Sequence, residues 1–154
     1  MLLGLALLGM AACARTSPQP NAGDPGNHRL NQLSNDHVFA ALPPGAVAKG
    51  PQTKTPARYR TPAFQPPGWD GPSVTLTFTN PKPPAAVFSF FQASAASAGW
   101  HPANRNALGY PQTWTKTYPD GVHAVLSLIQ TPRAPAAGQR AYVLTASSPP
   151  AVTT

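Results

Sequence analysis

From Ser73 onward the chain alternates. In SVTLTFT, Val74, Leu76 and Phe78 fall on one side and Thr75, Thr77 and Thr79 on the other. That is the period of a strand with one buried face. Residues 84–98 change period: Val87, Phe90, Phe91, Ser94, Ala95 and Ala98 line one stripe at helical spacing. Asn80 precedes this helix, prolines are tolerated at its start, and Gly99 stands where a left-handed terminating residue belongs. Trp100 is then placed to pack back on the last turn. A polar loop is expected over residues 101–112. Residues 113–118 alternate again, with Trp114, Lys116 and Tyr118 on one face. Tyr118-Pro119-Asp120-Gly121 marks a tight turn. Residues 122–129 form the next strand, with Val122, Ala124, Leu126 and Leu128 inward. A proline-containing loop leads to a last strand over residues 140–147, anchored by Tyr142 and Leu144.

The predicted order is β-α-β-β-β. It implies an α+β domain over residues 73–148, with one helix on one face of a mostly antiparallel sheet. Residues 149–154 read as a tail.

Upstream the pattern fades. Residues 34–72 read as a Pro-rich, mostly irregular segment. Within it, residues 34–42 suit a short helical turn capped by Ser34 or Asn35, with Val38, Phe39 and Leu42 apolar and Pro43-Pro44-Gly45 as the stop. Trp69, in an extended segment, is expected against the domain edge. Residues 14–33 are rich in Ser, Pro, Asn, Gly and Asp and carry no apolar periodicity. Together with Cys13 they read as a disordered tether, about 60 Å long if fully extended.

Residues 2–12, LLGLALLGMAA, form an uncharged apolar run. It has the length of a signal-peptide core and falls short of the roughly 20 residues a bilayer span needs. Residues 1–12 are therefore expected to be a signal peptide. No Lys or Arg precedes the run, which leaves the true start open.

The sole cysteine, Cys13, follows it directly. Met10-Ala11-Ala12-Cys13 resembles the bacterial lipobox, with Met10 standing where Leu is usual. That resemblance implies a diacylglyceryl thioether on Cys13, cleavage before it and anchoring on the extracytoplasmic side of the cell membrane. Two acyl chains hold a protein stably, whereas one binds only marginally. Ala12-Cys13-Ala14 also fits the A-x-A cleavage pattern, which would release a secreted soluble protein. The tether, ALPPGAVA at residues 41–48, the AAVFSFFQASAASAGW helix and WTKTYPDG together resemble small, uncharacterised exported lipoproteins of high-G+C actinobacteria. The resemblance implies export and anchoring, and carries over no assigned activity.

Composition narrows the chemistry. The 154 residues include 21 prolines, 11 Lys and Arg and only 4 acids, for a net charge of +7. All four acids are aspartates: Asp24, Asp36, Asp70 and Asp120. One cysteine excludes an internal disulfide framework and a cysteine zinc site. The basic stretch Lys49, Lys54, Arg58 and Arg60, interleaved with Tyr59, suits a solvated loop or anionic lipid headgroups. Nucleic acid is not expected for an exported chain.

No nucleophile elbow, P-loop, zincin or C-x-x-C motif is present. Asp36-His37 offers half a metal site and lacks a second pair. Asp120, His123 and Ser127 have the residue types of a triad, but Asp-Gly belongs to the turn and His123 to the strand's outer face. The rows Thr75/Thr77/Thr79 and Thr113/Thr115/Thr117 suit a polar sheet face, either solvated or ligand-binding. Trp69, Trp100, Tyr110 and Trp114 suit core packing or an aromatic platform. The expected protein is a lipid-anchored binding or envelope-associated module with a partner or small ligand, not an enzyme, and without a metal or cofactor. A hydrolase with an unrecognised site is the alternative.

Overall fold

The computed structural model describes residues 25–60, 68–132 and 136–148. Their chain order is α1 (Pro25–Ser34), a 3-10 turn (His37–Phe39), β1 (Val47–Ala48), β2 (Thr53–Thr55), β3 (Arg58–Arg60), β4 (Gly68–Asp70), β5 (Ser73–Asn80), α2 (Pro84–Ser97), β6 (His101–Arg105), β7 (Pro111–Thr117), β8 (His123–Gln130) and β9 (Arg140–Ser147). Seven strands form one antiparallel sheet in the order β1-β5-β9-β8-β7-β6, with β2 also on β5. β3 and β4 form a separate hairpin. The α+β class expected from the periodicity is the class observed.

Alternation along the strands divides the sheet into two faces. Val74, Leu76, Phe78, Trp114, Ala124, Leu126, Leu128, Tyr142, Leu144 and Ala146 are buried on one face. Val87, Phe88, Phe91 and Ala95 of α2 join the same core. Phe78 stacks on Tyr142 at 5.3 Å and tilts against Phe91 at 5.7 Å. α2 starts with Pro84 at a position that needs no N–H. It ends at Gly99, whose φ of +80° turns the chain so that Trp100 N–H donates to Ala95 O at 2.9 Å. Trp100 is thereby driven into the core.

Three expectations need correction. Residues 25–33 are not part of a disordered tether: they fold as α1. A ten-residue helix is marginal alone, and its sequence shows little periodicity because, among its described side chains, Leu30 and Leu33 are the buried apolar anchors, joined by buried Arg29. Both leucines are buried in the core cluster, so tertiary packing supplies what propensity does not. Residues 14–24 lie outside the described residues, as do residues 1–13.

The segment 34–72 is also less irregular than expected. Its helical turn is capped by Asp36, not Ser34 or Asn35: Val38 N–H donates to Asp36 Oδ1 at 3.1 Å. Short strands β1 and β2 then extend the edge beside β5. Finally, residues 101–105 are strand β6 where a loop was expected. All five are exposed, so burial leaves no alternating signature, and Pro102 is tolerated at a sheet edge.

Candidate functional site

Two polar assemblies stand out, one on each face. The first surrounds Asp36 on the helix-covered face. Asp36 is only 7% exposed, yet its carboxylate accepts from four donors. Val38 N–H and Trp100 Nε1 reach Oδ1, each at 3.1 Å. Lys116 Nζ and Tyr118 OH reach Oδ2 at 2.6 and 3.2 Å. Lys116 also donates to Ala98 O at 2.7 Å. Its ammonium lies over the Trp100 and Tyr118 rings, 5.6 and 5.1 Å from their centroids. Arg29 of α1 covers the same Tyr118 ring at 5.0 Å and pairs with Asp120 in the β7–β8 turn.

Burial, then the negative charge of Asp36 and the hydrogen bond to it, hold the Tyr118 phenol well above its ordinary pKa. Desolvation pushes the Asp120 carboxyl upward, but the Arg29 hydrogen bond, Val122 N–H and the Arg29 charge outweigh it and leave the pKa lowered. The cluster is saturated with its own partners. It clasps the N-terminal segment to β7 and offers no open coordination position. His37 is exposed beside it, and among the described residues no three His, Cys, Asp or Glu gather as a metal site.

The second assembly is on the open face. Cross-strand register aligns the outward residues into rows. Thr55, Ser73, Ser147, Val125 and Thr115 face one another across β2, β5, β9, β8 and β7. The neighbouring row is Thr53, Thr75, Thr145, Ser127 and Thr113, in which Thr75 and Thr145 hydroxyls bond at 3.1 Å. Successive strands carry successive members about 4.8 Å apart. The first row ends in a cleft of about 430 Å³, lined by Thr55, Ser73, Val125, Ser147 and Ser148 together with Arg58, Gly71 and Asp70. Arg58 Nε and Asp70 Oδ2 pair at 3.7 Å between β3 and β4. Ser148 N–H donates to Pro72 O at 3.2 Å. Its hydroxyl is buried without a hydrogen-bond partner among the described residues.

The residues singled out in the sequence fall as follows. Asp120 is held by Arg29, while His123 Nδ1 pairs with Thr117 Oγ1 at 2.8 Å. Ser127 is four residues along β8 from His123, about 13 Å at the strand rise. The structure does not bring these three together. Trp100 and Trp114 are core residues, and Tyr110 stacks on Phe88 at 6.3 Å, so these three form no exposed platform. The side chain of Trp69 lies outside the described residues, as does Cys13. Thr75, Thr77, Thr113 and Thr115 do line the outer face, while Thr79 is buried. Sequence reading missed Thr55, Ser73, Ser147 and Ser148, because only strand pairing aligns them.

No family model, curated protein or solved structure matches the chain. Among the described residues no helix is long and apolar enough to cross a membrane.

Proposed function

We propose that the chain is a lipid-anchored, extracytoplasmic binding module that holds a small ligand or envelope partner on its open sheet face. The observation that carries this reading is the division between the faces. The chain enters the described fold through α1, which packs with α2 and the 3-10 turn on the buried side of the sheet. Among the described residues, the opposite side carries the hydroxyl rows and the cleft. The Asp and His groups near the β7–β8 turn are engaged with Arg29 and Thr117, which favours binding over hydrolysis. Cys13 precedes α1 by a short polar stretch, residues 14–24, that holds two prolines, and a thioether there would attach the module to the membrane without a spanning helix.

The test is mass spectrometry of the mature N-terminus, with Cys13→Ala as the comparison. Cleavage before Cys13 with a diacylglyceryl mass on that residue, and loss of the protein from the membrane fraction in Cys13→Ala, supports the reading. A mature chain starting at unmodified Arg15 overturns the anchor and makes the module a secreted soluble one.

A further inference from the structure

We propose that the cleft between the β3–β4 hairpin and the open sheet face binds a neutral saccharide. This rests on the reading of the protein as a binding module and names the class of its ligand.

The argument is chemical complementarity. Among the described residues, the charged side chains lining the cleft are Arg58 and Asp70, which pair at 3.7 Å. An anion there meets the carboxylate of Asp70 and a cation meets the guanidinium of Arg58. A neutral ligand with both donors and acceptors satisfies the two together. The Arg58 guanidinium donates to ring or hydroxyl oxygens, and the Asp70 carboxylate accepts from hydroxyls.

Among the described residues, the other polar side chains of the lining that reach the surface are hydroxyls: Thr55, Ser73 and Ser147. Hydroxyl groups give and take hydrogen bonds alike, which matches a polyol and does not discriminate for charge. Val125, 44% exposed, supplies an apolar strip in the same floor for the C–H face of a sugar ring. The volume of about 430 Å³ falls within the roughly 300–1,000 Å³ of ligand clefts. The floor also continues across the sheet from Val125 to Thr115, so a longer glycan finds more hydroxyls than a monosaccharide does.

The experiment titrates the full ¹⁵N-labelled chain, held in a non-glycosidic detergent, with maltohexaose, cellohexaose, chitohexaose and inorganic phosphate. Saturable shifts of the Ser73, Ser147 and Ser148 amides with at least one hexasaccharide are expected. The affinity should fall by about tenfold or more in Ser73→Val/Ser147→Val, the scale of one or two lost hydrogen bonds, and also in Arg58→Gln. Thr117→Val, on the same face outside the cleft, should bind like the parent. Valine suits a strand, and an unchanged melting temperature separates lost binding from lost folding. Saturation by phosphate with no response to the sugars overturns the saccharide and leaves the cleft as a binding site for anions. No saturable shift with any probe overturns the saccharide and the cleft as a ligand site, while the result at Cys13 still decides the anchor.

Discussion

Lys116 Nζ lies 2.6 Å from Asp36 Oδ2, across 80 residues of sequence. The pair joins the segment after α1 to the edge half of the sheet, and Trp100 and Tyr118 complete the carboxylate's partners. A buried carboxylate must be paired and hydrogen-bonded to persist, so the whole N-terminal segment depends on this junction.

Removing the two partners should have unequal effects. Asp36→Ala leaves Val38 N–H, Trp100 Nε1 and Tyr118 OH without their acceptor and takes away the carboxylate partner of Lys116. A loss of about 3 kcal/mol in urea unfolding is expected, at the low end for a broken buried pair because Lys116 still reaches water. Lys116→Met leaves the more deeply buried carboxylate with three donors but no counter-charge and should lose more, about 4 kcal/mol. A smaller loss than in Asp36→Ala would show that the three remaining donors suffice to hold the carboxylate.

Stability should fall at both ends of the pH range. Tyr118 has a raised folded-state pKa. Its contribution is therefore fully present below the unfolded value of about 10 and is lost as pH rises beyond it. Asp120 has a lowered folded-state pKa. Its contribution is present above the unfolded value of about 3.9 and disappears as pH falls through the folded one. Urea midpoints measured across pH should show an alkaline decline that Tyr118→Phe flattens and an acid decline that Asp120→Asn flattens. An alkaline limb unchanged by Tyr118→Phe would assign that decline to another group.

Leu33 decides whether α1 belongs to the domain. Its side chain is fully buried in the common core. Leu33→Ala should destabilise the whole domain by about 2–5 kcal/mol, seen as a single shifted transition by both circular dichroism and tryptophan fluorescence. If α1 were a detachable arm, the fluorescence transition of buried Trp100 and Trp114 would not move.

The strands around Phe78, Leu126 and Leu144 and the helix around Val87 and Phe91 were legible because each packs one face against the core, and that burial leaves a period of 2 or 3.6 in the sequence. β6 left no such trace, because it is an exposed edge defined by its pairing with β7. α1 left almost none, because its described anchors are Leu30, Leu33 and the buried Arg29, whose partners lie far away in the chain. The hydroxyl cleft was half legible. The Thr alternation in residues 75–77 and 113–115 announced a polar face, but nothing local says that Ser73, Ser147 and Thr55 share a row.

The sequence by itself therefore determined the class of fold, the single-faced sheet and the position of the one cysteine, since these follow from local periodicity and composition. The tertiary structure alone decided that Asp36 meets Lys116, that residues 25–34 are helix and that hydroxyls from β2, β5 and β9 meet Arg58 and Asp70. Those relationships depend on strand register and on contacts between residues far apart in the chain, which no local window contains.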